Sequence, residues 1–245
     1  MRIKMALMVT ILALLSACVN SVDKENLAIH VNNDTTTSSP NSSSMATEAK
    51  REDNSIRAIG TNQDGRLLVK PASQANVATL GASSCLGVDS DLRWLGDYEM
   101  LWEPTSGGAS RKVMTFPIDF EIVQPSDVPV KMQKFTLGTT DLFAYVPRYT
   151  DCHALETYLF GINGGKAFPI TFEMKPGQIW TNIGQLPHHP FQVSNGELTI
   201  TGGYAAGQDF IDVYHFYYDS KKHSMILKKT DQVKPNDLTG SLPTP

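Results

Sequence analysis

The sequence predicts an all-β protein, an antiparallel β-sandwich or barrel built from short hairpins. Three observations carry that expectation. Short apolar or alternating runs bounded by Gly, Pro, Asp or Ser recur through the chain. Three of them are joined by turns of hairpin chemistry, and all 21 aromatic residues lie between Trp94 and Tyr218, which locates the core.

In chain order, residues 66–70 (RLLVK) form a strand after the turn at 62–65 (NQDG), and residues 74–80 are compatible with a short helix. Residues 98–102 (YEMLW) alternate, and 112–116, 120–123, 130–137 and 142–146 are further short strands. Residues 151–158 carry mixed signals, since HALETY suits a turn or two of helix. The three hairpins then follow. The first turns on Asn163-Gly164-Gly165, the second on Asn195-Gly196 and the third near Asp219 to Lys222. Asn-Gly suits a type I′ turn because both central residues must tolerate positive φ.

The first and third hairpins resemble each other at an offset of 56 residues: Tyr158, Phe160, Asn163, Lys166 and Ile170 align with Tyr214, Phe216, Asp219, Lys222 and Ile226. Repeated hairpins raise a small propeller-like arrangement as the alternative fold. Neither copy has a Trp-Asp or kelch-type signature, and the sandwich or barrel is preferred.

The amino terminus has its own logic. Arg2 and Lys4 precede an apolar run from Met5 to Leu15 broken only by Thr10. A span of the hydrocarbon core needs roughly 20 helical residues, so this run is too short to cross and fits the h-region of an export signal. Leu15-Ser16-Ala17-Cys18 then resembles the lipobox of bacterial lipoproteins. The resemblance covers residues 1–18 and implies cleavage before Cys18, a diacylglycerol on its thiol, and attachment to the cell membrane or outer membrane through acyl chains. Each buried methylene contributes about 0.8 kcal/mol, so two or more chains hold a protein stably.

Loss of residues 1–17 removes Arg2 and Lys4 and no acid, which makes the formal net charge of -4 two units more negative. With no basic cluster, nucleic acid is excluded as a partner, and electrostatic binding to anionic lipid is disfavoured. Outside the cytoplasm the remaining pair, Cys85 and Cys152, is expected to form a disulfide, which on the chain-entropy reckoning stabilises by roughly 4 kcal/mol. A metal or redox site is the competing reading. There is no CxxC, and Asp151-Cys152-His153 places its groups too close together to converge on one ion.

Residues 19–55 are rich in Asn, Ser, Thr and acids and contain no aromatic residue. Such a stretch cannot offset its ordering entropy by burial, so residues 18–55 read as a lipidated terminus and disordered tether spanning roughly 35 Å. Residues 56–235 form one β domain, and 236–245 a flexible tail.

No motif assigns a reaction, and neither a cofactor nor a metal site is expected. The glycine runs at 161–165 and 202–207 lack the P-loop pattern and read as turns between strands. His188 and His189 are adjacent in a proline-bracketed loop, and neighbours in an extended chain point to opposite sides. Weak ligand-site candidates are Trp102, Trp180, Tyr217, Asp209 and Asp212: the rings as a platform for sugar or peptide, the acids as a possible acid and base pair. The sequence therefore favours a non-catalytic binding or structural module that contacts another envelope protein or a polymer. The alternative is an envelope hydrolase acting on glycan or peptide.

Overall fold

The computed structural model describes residues 51–150, 152–205 and 207–238. The lipobox with Cys18, most of the tether and the end of the tail lie outside these residues. Those described are nearly all β, with nineteen strands, one 3-10 turn and no α-helix. Their sheets form a sandwich or nearly closed barrel of short, mostly antiparallel strands, as the alternation and turns predicted.

Nine strands come first: β1 Arg51–Asp53, β2 Ala58–Asn62, β3 Gly65–Pro71, β4 Ala75–Thr79, β5 Leu92–Gly96, β6 Tyr98–Pro104, β7 Arg111–Thr115, β8 Phe120–Gln124 and β9 Val130–Lys131. They make a four-stranded sheet in the order β1-β4-β5-β8 and a five-stranded sheet in the order β7-β6-β3-β2-β9. Along β6 the period of two buries Tyr98, Met100 and Trp102, which join Trp94 of β5 and Ile122 of β8 in a first core.

The later strands are β10 Gln133–Leu137, β11 Thr140–Tyr145, β12 Leu155–Asn163, β13 Lys166–Lys175, β14 Gln178–Trp180, β15 Ile183–Gln185, β16 Gln192–Ser194, β17 Glu197–Thr201, β18 Ile211–Asp219 and β19 Ser224–Val233. Eight form a path β10-β11-β12-β13-β19-β18-β17-β16, with β14 on β13 and β15 on β12. The ends of this path approach each other, and Phe135 meets Phe191 edge to face at 5.7 Å across the seam.

β11 and β12 bury both faces. Phe143, Tyr145, Tyr158, Phe160 and Ile162 point into the first core, while Leu142, Ala144 and Leu159 join Phe172, Leu198, Ile200, Phe216 and Met225 in a second. A strand covered on both sides needs a continuous apolar run, which is why β12 reads TYLFGI and lacks the alternation of β6.

The hairpins form where their turns predict. Gly164 and Gly165 have φ of 56° and 70°, Asn195 and Gly196 of 51° and 75°, the paired positive values of a type I′ turn. The repeat is real as a length, because β12 and β18 start and end 56 residues apart. It does not build propeller blades: β13 pairs with β19 in parallel, so the two hairpins share one sheet. That pairing also changes the environment of matching residues, and Phe160 enters the first core while Phe216 enters the second.

Three local expectations are corrected. Residues 74–80 hold β4, not a helix: Ala75 and Val77 are buried on one side of Asn76, and the strand pairs with β1 and β5. In the 151–158 stretch β12 begins at Leu155, because pairing with β15 and burial of Thr157 outweigh the local helix signal of HALETY. β1 falls inside the stretch read as tether; Asp53 is held there by Ser55 and by the Trp94 indole.

Candidate functional site

The site arises where the neighbour of β12 changes. Residues 159–163 of β12 pair with β13, but residues 155–157 pair with β15. Between these partners the chain leaves β13 through the β14 hairpin, in which Trp180 lies opposite Phe172, and crosses by Thr181 and Asn182 to β15. The crossover puts Trp180, 39% exposed, at the mouth of the fork.

Two adjoining open depressions share Trp180, Ile183 and Gly184, and have volumes of about 430 and 230 Å³. The larger also takes in Ile179, Thr181 and Asn182. The smaller reaches the β11–β12 turn at Thr150, His153 and Ala154 and the β17–β18 loop at Tyr204 and Gln208, with Tyr214 beside them. Together they make a groove between three segments that the sheet topology brings to one end.

Small residues hold those segments close. A Cβ on Gly203 would lie 2.7 Å from Ala154 Cβ and 3.2 Å from the His153 carbonyl oxygen, and one on Gly184 would lie 3.2 Å from Ala154 Cβ. The close approach lets Tyr204 N–H donate to that carbonyl at 3.1 Å. One residue before His153, Cys152 is bonded to Cys85 of the β4–β5 loop, with Cα atoms 4.3 Å apart, which ties the groove wall to the first half of the fold.

The polar groups of the lining are partly committed. Asn182 Nδ2 donates to Glu156 Oε1 at 3.4 Å, an acid that also accepts from Tyr158 at 2.6 Å and pairs with Arg148 at 3.2 Å. Gln208 Oε1 accepts from Ala205 N–H at 2.8 Å. Tyr214 donates to Asp212 Oδ2 at 3.5 Å; burial first, then the Asp212 charge and this bond, push its phenol above the usual tyrosine range, so it stays a donor. The His153 imidazole, the Tyr204 hydroxyl and the Trp180 indole N–H have no hydrogen-bond partner among the described residues.

Of the five weak ligand-site candidates, Trp180 alone lines the groove. Trp102 is 1% exposed in the first core and offers no face to a ligand. Tyr217 is exposed on β18, opposite Glu197 and Ile226 and outside the lining. Asp209 lies on the exposed β17–β18 loop, and the Asp212 carboxylate is occupied by Tyr214 and by Gln232 at 3.2 Å, so the two acids do not form a pair in the groove. Among the described residues no three His, Cys, Asp or Glu side chains gather as metal ligands. Sequence reasoning missed Asn182, Tyr204 and Gln208; the one signal was Gly202-Gly203 before Tyr204, which marks a close backbone approach as well as a turn.

No protein-family model, curated protein or solved structure matches the chain.

Proposed function

We propose that the protein is a lipid-anchored extracytoplasmic binding module, held to a bacterial membrane by Cys18 and engaging an envelope polymer through the groove around Trp180. The anchor rests on the Leu15-Ser16-Ala17-Cys18 pattern at the end of a short export signal. The observation that carries the binding half is the exposed indole of Trp180 between two adjoining depressions whose walls come from three separate segments. The depressions are open and more polar than apolar, which suits a polar ligand laid across Trp180. The acids considered for hydrolysis lie outside that surface, which supports binding over cleavage.

Sedimentation of the mature full chain with isolated cell-wall material tests this reading, alongside palmitate labelling in cells. Wild type is expected to incorporate palmitate and to co-sediment. Cys18→Ala should lose the label, and Trp180→Ala should lose co-sedimentation by about tenfold or more in affinity. Labelling that survives Cys18→Ala contradicts the anchor; sedimentation indifferent to Trp180→Ala contradicts the site.

A further inference from the structure

We infer that the Trp180 groove takes an uncharged saccharide. The inference rests on the reading of the groove as the binding surface and narrows its ligand. Among the described residues six line one depression and eleven the other, three of them shared, which leaves fourteen different residues. None of the fourteen is Asp, Glu, Lys or Arg, although these make up 19% of the chain. A phosphate or carboxylate ligand calls for Arg, Lys or a helix N-terminus, and a cationic ligand for carboxylates or an aromatic cage. The described lining offers one exposed indole, one imidazole, and hydroxyl, amide and apolar groups.

What it does offer matches a sugar ring, which has an apolar C–H face and a rim of hydroxyls. Trp180 is 39% exposed and no protein ring stacks on it among the described residues, so its indole is a partner for the apolar face. The rim needs groups that both donate and accept at fixed angles. Gln208 is held at its oxygen by Ala205 and keeps an N–H₂ to donate, whereas Asn182 is held at its nitrogen by Glu156 and keeps an oxygen to accept. The Tyr204 hydroxyl and the His153 imidazole can each do either, and neither is engaged with another described residue. Sites built to hydrogen-bond hydroxyls discriminate through such groups, since an unmatched one is left unpaired in the complex. A peptide added as a strand would need an open sheet edge, and β14 supplies three residues only.

The test follows binding to the mature full chain in detergent by calorimetric titration of wild type and every variant, with tryptophan emission as a second signal in wild type. Trp94 and Trp102 are 0% and 1% exposed, so a ligand-dependent change reports on Trp180. The probes are maltohexaose, cellohexaose and chitohexaose, set against oligogalacturonate, a chitosan hexamer and an uncharged hexapeptide, each to about 10 mM, where even millimolar binding is visible. At least one uncharged oligosaccharide is expected to give a saturable change. Its affinity should fall about tenfold or more in Trp180→Ala, be partly restored in Trp180→Phe and drop in Gln208→Ala, all with unchanged melting curves. It should also stay within about twofold between 0.05 and 0.5 M salt, because no charge is screened. A Trp180-dependent response to the charged oligomers or the peptide alone, or to no oligosaccharide, overturns the saccharide assignment and leaves the groove in place. Oligosaccharide binding undiminished in Trp180→Ala overturns the groove as well.

Discussion

Cys152, disulfide-bonded to Cys85, has a left-handed backbone with φ of 74° and immediately precedes His153 in the groove wall. The two loops it joins are unequal. Around Cys85 the β4–β5 loop is tied to itself by Leu80 N–H to Asp91 O at 2.7 Å, Gly81 N–H to Asp89 O at 2.9 Å and the Ser84–Gly87 bridge. The turn that carries Cys152 has the Thr150 N–H and hydroxyl to Ala154 O at 2.8 and 3.3 Å and the Tyr149–Leu155 bridge among its described residues. Reduction should therefore be felt mainly at the groove.

Replacing both cysteines by serine is expected to lower unfolding stability by about 4 kcal/mol, read from urea transitions, and to weaken ligand binding beyond what the lost stability explains. Hydrogen exchange should quicken at residues 150–154 and change little at 80–91. Equal urea midpoints with and without reductant would refute the structural role given to the bond.

Gly203→Ala should act on the groove more than on the fold. The added methyl meets Ala154 Cβ and the His153 carbonyl, so the β17–β18 loop must move away from the β11–β12 turn and break the Tyr204 N–H bond. A loss of about 1–3 kcal/mol in stability is expected for overpacking at such a contact, with binding abolished. Wild-type affinity in this variant would show that the wall does not shape the site.

Acid should destabilise the fold through Asp53 and Asp141. Burial alone would raise the Asp53 carboxyl, but hydrogen bonds from the Ser55 side chain and backbone and from Trp94, with the nearby Arg57 charge, outweigh it and hold the group below the usual value. Asp141 is likewise held down, against burial, by Lys134, Asn62 and Thr136. A depressed carboxyl contributes stability that is complete above the unfolded value near 4 and is lost as pH falls through the folded value. The melting temperature should be level above about pH 5 and decline below about pH 4. Asp53→Asn should flatten part of that decline, while Asp53→Ala should cost about 1–3 kcal/mol at neutral pH by leaving the Trp94 N–H unpaired. An acid limb identical in wild type and Asp53→Asn would contradict this account.

How much could be read in advance follows from where the information resides. The hairpins were legible because Asn195-Gly196 and Gly164-Gly165 are local signals with a backbone cause. Alternation along residues 214–218 sorts β18 as well: Phe216 is buried with Tyr214 and Tyr218 packed against the same core, and Tyr217 is exposed. Residues 74–80 misled because a short alternating stretch satisfies helix and strand alike until β1 and β5 supply partners. The groove was illegible except for Trp180. His153, Asn182, Tyr204 and Gln208 come from three connections, and they meet only because β12 exchanges β13 for β15.

The central claim, that ligands enter at Trp180, is tested most directly by the indole N–H resonances of the three tryptophans in a heteronuclear NMR spectrum, assigned by single replacement to Phe. During a screen of small saccharides, amides and short peptides, the Trp180 indole should shift in a saturable way while those of the buried Trp94 and Trp102 stay fixed. Compounds that bind with the Trp180 resonance unmoved would contradict the account.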